Sequence, residues 1–122
     1  MNPKALELQR RTRAFHTRII KFVEQLPFHP AAHQIIPQLL DSAGSTASNY
    51  RSACRGRSKR EFVAKLGVAA EEADETKGWL EALLDANLGD PDETAKLIKE
   101  ADELTAIFVA SQKTARKNAF KG

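Results

Sequence analysis

Apolar and small side chains recur along this chain in alternating steps of three and four residues, in four separate stretches. Because an α-helix has about 3.6 residues per turn, this spacing places each set on one helical face. The four predicted stripes are Leu8, Thr12, Phe15, Ile19, Phe22 and Leu26; Ile36, Leu40, Ala43, Ala47, Tyr50 and Cys54; Phe62, Leu66, Ala69, Ala73, Thr76, Leu80 and Leu83; and Leu97, Ala101, Leu104, Phe108, Ser111 and Ala115. Four such helices predict an all-α, antiparallel up-down-up-down four-helix bundle.

Local signals predict where the helices begin and end. Ser58 and Glu61 form an S-x-x-E capping box before the third helix, and Gly89 is expected to end that helix in a left-handed turn. Pro37 lies either near the start of the second helix or kinks its first turns. A length of 122 residues predicts a single domain, residues 1–122. The predicted helices span about residues 3–26, 31–55, 59–87 and 91–118.

The charges are unevenly distributed although the net charge is only +3: residues 66–103 are strongly acidic and the other segments are basic. Such polarity fits a nucleic-acid-binding face or head-to-tail attraction between copies of the chain. No segment approaches the ~18 apolar residues of a membrane span, and the start of the chain lacks the apolar part of a signal peptide. The single cysteine fits a reducing compartment. We therefore expect a cytoplasmic protein that binds no membrane, metal or cofactor.

Three groups of cations are candidates for binding phosphate, which requires converging positive charges but no fixed spacing. An up-down bundle places the start of helix one, the corner between helices two and three, and the end of the chain together. The other interpretation is solvated surface, balanced by the acids of helices three and four. The groups are Lys4, Arg11, Arg18 and Lys21 on helix one, widened by Arg10 and Arg13; Arg55, Arg57, Lys59 and Arg60 at the corner; and Lys113, Arg116, Lys117 and Lys121 in the tail.

A stripe of small polar residues runs beside the apolar stripe of helix two: Ser42, Ser45, Asn49 and Ser52. Side chains this small allow another helix to approach closely, either inside the bundle or from a neighbouring subunit. The amide of a buried asparagine needs hydrogen-bond partners, which we expect from Thr76 or Glu75 on helix three.

Residues 38–85 resemble the signature of the small four-helix-bundle proteins encoded by intervening sequences in bacterial 23S ribosomal RNA genes. That pattern is roughly Q-L-x-R-S-A-x-S-I-x-x-N-Y/I-x-E-A, then S-x-x-x-F-x-x-K-L, then E-A-x-E-T-x-x-W-L. Asp41, Thr46 and Ser52 depart from it. The matching residues are Gln38, Leu39, Ser42, Ala43, Ser45, Asn49, Tyr50, Ala53, Ser58, Phe62, Lys65, Leu66, Glu72, Ala73, Glu75, Thr76, Trp79 and Leu80.

The resemblance implies a fold and a class of partner. The family includes the accessory protein of diversity-generating retroelements, which assembles as a ring of five and binds nucleic acid alongside a reverse transcriptase. By this resemblance we expect a non-enzymatic homopentamer that binds DNA or RNA, or a reverse transcriptase or another nucleic-acid enzyme. A protein–protein scaffold that binds no nucleic acid is the alternative.

Two enzymatic interpretations match parts of the chain less well. Arg11 and His16 fit the R-x4-H pattern of helical ribonucleases, but on the first helix rather than late in the bundle. No E-x-x-H pair is present, which argues against a ferritin-like di-iron site. All-helical nucleotide pyrophosphohydrolases hold magnesium with an E-E-x-x-E…E-x-x-D pattern, and five carboxylates of this chain resemble it, with Glu in place of the last Asp. They are Glu71, Glu72, Glu75, Glu100 and Glu103.

Overall fold

A computed structural model describes residues 2–119, which form four α-helices and no strand. Consecutive helices pack against each other and the fourth returns to the first, so the predicted four-helix bundle is confirmed. The predicted helix ends agree with the observed ones to within two residues. The helices are α1 (Pro3–Glu24), α2 (Pro30–Cys54), α3 (Lys59–Asp85) and α4 (Pro91–Ala119).

Side chains cap the starts of α1, α2 and α3. Asn2, His29 and Ser58 each accept a hydrogen bond from a backbone N–H in the first turn, at 2.7, 3.0 and 3.1 Å. The Ser58 half of the predicted capping box is therefore confirmed. Its other half differs, because the Glu61 carboxylate accepts from the backbone N–H of Arg57, at 3.4 Å, one residue before the expected donor.

The left-handed residue that terminates α3 is Asn87, at φ 57°, rather than Gly89 as predicted. The backbone N–H of Leu88 donates to the carbonyl of Leu83 at 2.9 Å, which closes a Schellman motif. Gly89 follows in the loop with φ 90°, and a Cβ there would lie 2.8 Å from Leu26 Cδ2. The α3–α4 loop therefore packs directly on the end of α1.

The core is built from the predicted stripes of α1, α3 and α4, but the buried face of α2 differs from the prediction. The predicted α2 residues Leu40 and Ala47 are only half-buried, whereas Leu39, Ser42 and Thr46 are buried. The hydroxyl of Thr46 donates to the Ser42 carbonyl at 2.8 Å, so its burial leaves no polar group unpaired. Small hydroxyl residues can thus face the core, which the apolar pattern does not reveal.

The helices pack unequally around this core. α3 packs extensively against both α2 and α4, whereas α1 packs mainly on α2 and makes few close backbone contacts with α4. Pro37 lies inside α2, exposed, rather than near its start. Within the described residues, no helix is long and apolar enough to cross a membrane.

Candidate nucleic-acid interface

The start of α1, the α2–α3 corner and the last turns of α4 meet at one end of the bundle. A cavity of about 590 Å³ there is lined by residues of all three, among them Lys4, Lys59, Phe62 and Asn118. The three basic groups of the sequence therefore have members at a common end. Lys121 lies outside the described residues.

This end, which we call the basic end, carries cations that have no acidic partner. All of them are exposed, and none forms an ion pair within residues 2–119. Glu61, the acid at the corner, caps α3 instead of pairing with a side chain. The residues of the basic end are Lys4, Arg55, Arg57, Lys59, Arg60, Lys113, Arg116 and Lys117.

Arg11, predicted to bind nucleic acid, is turned towards α4 and paired there. Its Nε and Nη2 donate to the two carboxylate oxygens of Glu100 at 2.7 and 2.6 Å, and Nη2 also lies 2.7 Å from Glu103 Oε2. Hydrogen bonding to Glu100 raises the pKa of Arg11 above its already high ordinary value, although burial opposes that shift. The charge of Arg11 is therefore neutralised inside the molecule, and its role in nucleic-acid binding stays a prediction.

Among the other predicted cations of α1, Lys4 belongs to the basic end, whereas Arg18, Lys21 and Arg10 do not. Arg18 Nη2 lies 3.3 Å from Glu93 Oε1, and Arg18, Lys21 and Glu93 line a cavity of about 300 Å³ near the α3–α4 loop, at the far end of the bundle. Arg10 lies 3.9 Å from Glu7, one helical turn before it. The basic strip on α1 is thus divided between the two ends of the molecule.

The carboxylates of the magnesium pattern are not gathered into one site. Glu100 and Glu103 are both bound to Arg11. Burial raises the pKa of Glu72, and repulsion by neighbouring carboxylates on α3 and α2 raises it further. Within residues 2–119, no group of three or more His, Cys, Asp or Glu side chains is placed to hold a metal ion.

The two residues of the ribonuclease-like match point to different neighbours. Arg11 contacts α4, whereas the ring of His16 packs against Gly44 of α2, where a Cβ would lie 3.2 Å from His16 Nε2. Five residues along a helix correspond to about 140° of rotation, so these side chains are not brought together.

The small polar stripe of α2 divides between the core and the surface. Ser42 is buried, and its hydroxyl oxygen lies 2.8 Å from Thr76 Oγ1 on α3. Ser45, Asn49 and Ser52 are half-buried. Asn49 Nδ2 donates to both the carbonyl and the hydroxyl of Ser45 at 2.9 Å, so the expectation that α3 supplies its partners was wrong. The stripe packs inside the bundle at Ser42 and leaves its other members accessible.

The sequence interpretation missed a polar groove between α1 and α2. It holds about 280 Å³ and is lined by residues that include Arg13, His16, Ser48 and Arg51. Arg51 lies one helical turn before Arg55, and that spacing was the signal that could have extended the predicted basic corner along α2.

Comparisons with known proteins agree with the fold. The model of the 23S rRNA-intervening sequence protein family matches residues 4–110. The chain is similar to a solved structure of a protein of unknown function from the S23 ribosomal protein family of Bacteroides thetaiotaomicron, with a TM-score of 0.78 and 24% identity over 90% of this chain and 98% of that one. No curated protein matches the chain. At this identity, the structural similarity speaks for the fold alone.

Proposed function

The chain belongs to the 23S rRNA-intervening sequence protein family, and from that premise we propose that it is a non-enzymatic, oligomeric bundle that binds nucleic acid through its basic end. The observation that carries this proposal is the set of exposed, unpaired cations where α1, α3 and α4 meet. Two arginines of α1, Arg11 and Arg18, are by contrast neutralised by carboxylates of α4. Cations left without partners at one end are the group that phosphates can neutralise.

The kind of nucleic acid follows from an absence at the basic end: within residues 2–119, no exposed aromatic ring lies there. Single-strand binding proteins stack bases on exposed aromatic rings. Phe62, the aromatic residue in the cavity at this end, is half-buried and packs against the core. We therefore propose binding to duplex or structured nucleic acid at least as tightly as to single strands, with little dependence on sequence.

Two features support a binding role rather than an enzymatic one. Two of the five carboxylates of the magnesium pattern, Glu100 and Glu103, are engaged by Arg11. The Arg11 and His16 side chains, in turn, lie on different sides of α1. The competing function is a protein–protein scaffold that binds no nucleic acid, and the binding experiment below distinguishes it from the proposed function.

The test is filter binding of random-sequence duplex DNA and RNA over a range of salt. If about four cations neutralise phosphates, the logarithm of affinity should fall against the logarithm of salt with a slope of about −3.6. Replacing Arg55, Arg57 and Arg60 together by Gln should reduce the slope to about −1. The matched control removes the same charge elsewhere, by Lys77→Gln, Lys96→Gln and Lys99→Gln, and should keep the wild-type slope.

Two results would contradict the proposal. One is a wild-type protein that binds no nucleic acid at about 50 mM salt, where phosphate contacts are strong. The other is a corner variant that binds as tightly as the wild type. Either result would favour the scaffold function.

We also propose that the chain assembles as a ring of five. The uneven charge allows the acidic side of one copy to meet the basic side of the next, and head-to-tail contacts of this kind close into rings. The half-buried residues Ser45, Asn49 and Ser52 offer a surface with small side chains for such a contact.

A further inference from the structure

The groove between α1 and α2 is a site that the basic end does not include. Its walls come from two helices, with Arg13 and His16 on α1 and Ser48 and Arg51 on α2. The smallest residue that lines it is Gly44. Its remaining lining residues are Gln9, Thr12 and Ala47.

Gly44 accounts for the shape of this groove. A Cβ at this position would lie 3.2 Å from His16 Nε2 and 3.3 Å from Cε1, so a larger residue would push the imidazole a few tenths of an ångström away from the α2 backbone. The half-buried ring therefore lies close against the α2 backbone at Gly44. A donor held in one position costs less entropy when it binds a ligand than a freely rotating one.

The charge of the groove is positive and uncompensated. No Asp or Glu lines it, and neither Arg13 nor Arg51 forms an ion pair within residues 2–119, although both are exposed. The contrast with Arg11 is direct, because Arg11 lies two residues away on the same helix and is bound by Glu100. Two guanidinium groups on one groove without a carboxylate attract an anion, and guanidinium pairs with phosphate through two parallel hydrogen bonds.

The groove also continues towards the basic end. A second cavity of about 270 Å³ shares Ser48 and Arg51 with it and adds Ser52, Arg55 and Glu61 of the α2–α3 corner. Arg51 and Arg55 are one helical turn apart, about 6 Å along the axis. Arg13, Arg51 and Arg55 therefore lie along one path from the middle of the bundle to its basic end.

We propose that the α1–α2 groove binds backbone phosphates of the nucleic acid, whose backbone runs from the basic end along the face formed by α1 and α2. This inference rests on the proposed function and adds Arg13 and Arg51 as phosphate-binding residues, with His16 and Ser48 as further hydrogen-bond donors. The acidic surface of a second copy of the chain is the competing occupant, and the experiment separates the two.

The experiment compares Arg13→Gln/Arg51→Gln with the charge-matched control Lys96→Gln/Lys99→Gln, by filter binding of random-sequence duplexes of increasing length. The two groove contacts add to the about four contacts of the basic end, so the wild-type salt slope on long duplexes should approach about −5.4. Their loss should bring that slope back to about −3.6, a change of about 1.8, whereas the control should leave it unchanged. The shortest duplex that gives full affinity should also become shorter. Ser48→Asp adds a carboxylate to the groove without removing an arginine, and it should also lower the affinity for duplex nucleic acid. All variants alter exposed residues, and circular dichroism checks that their helical content is preserved.

The outcomes distinguish this inference from the proposed function. If the groove variants bind with the wild-type slope while the Arg55/Arg57/Arg60 variant does not, the groove proposal is overturned and the proposed function stands. If the groove variants keep the wild-type slope but change the assembled mass in native mass spectrometry, the groove is an interface between copies. A wild-type protein without nucleic-acid affinity overturns both.

Discussion

At the scale of single residues, the fate of an arginine is decided by the helix that it faces. Arg11 and Arg13 are two positions apart on α1. Arg11 forms ion pairs with Glu100 and Glu103 of α4, whereas Arg13 lines the groove between α1 and α2. The side chain of Glu100 is only 16% exposed, so its charge depends on Arg11 for compensation. Because α1 and α4 make few close backbone contacts, this ion pair is one of the side-chain interactions that hold the two helices together.

Arg11→Gln should therefore destabilise the protein by about 1–3 kcal/mol, because it leaves a largely buried carboxylate without its bidentate partner. Arg18→Gln is the matched control. Its partner Glu93 is 38% exposed, and the cost should stay below about 1 kcal/mol. Urea denaturation measures both, and a double-mutant cycle with Glu100→Gln isolates the pair. Equal losses for the two variants would show that the Arg11 pair is ordinary surface.

At the scale of the elements, the ends of α3 show how local chemistry positions the helices. Ser58 starts α3 and the Schellman turn at Asn87 ends it. The following loop then brings Gly89 against Leu26 at the end of α1. The α3–α4 loop thus contacts the end of α1, which is distant in sequence, and the contact is possible because Gly89 has no side chain.

Gly89→Ala should destabilise the protein by about 1–3 kcal/mol, because alanine at φ 90° is strained and its Cβ would lie 2.8 Å from Leu26 Cδ2. Asn87→Gly is the contrasting variant, since glycine adopts the left-handed conformation more readily than asparagine, and it should be neutral or slightly stabilising. Thermal unfolding of the two variants beside the wild type measures the difference. A Gly89→Ala protein as stable as the wild type would mean that the loop relaxes away from α1.

At the scale of the whole molecule, unpaired cations gather at the basic end, whereas the strongly acidic segment, residues 66–103, belongs to α3 and α4. The loop end opposite the basic end carries Asp90 and Glu93 beside Arg18 and Lys21. Such an arrangement favours contacts between unlike surfaces of different copies, which are screened by salt.

Native mass spectrometry at low micromolar concentration should accordingly show one species of five chains. Ser52→Trp should reduce that species, because an indole at the half-buried edge of α2 would prevent a close approach, whereas Trp at the exposed Ala106 of α4 should not. A monomer that persists at every concentration would rule out the ring. A different closed number of chains would keep the assembly and change its symmetry.

Some of this molecule follows from the sequence alone. The 3.6-residue period predicts the buried faces of α1, α3 and α4, and Ser58 predicts the start of α3, because helical periodicity and capping act between near neighbours in the chain. Antiparallel order follows from the short connections and brings Lys4 and Lys59 to one end.

Other features were decided only by the tertiary structure. The buried face of α2 includes Ser42 and Thr46. The Ser42 hydroxyl lies 2.8 Å from Thr76 Oγ1 of α3, and the Thr46 hydroxyl donates to the Ser42 carbonyl, and no apolar pattern records these pairings. Which cations remain without an ion-pair partner also depends on the neighbouring helix. Arg11 pairs with Glu100, which lies 89 residues later in the chain, whereas Arg13 forms no ion pair within residues 2–119. Burial and ion pairing depend on the neighbour across the contact, and that neighbour is set by packing, not by spacing along the chain.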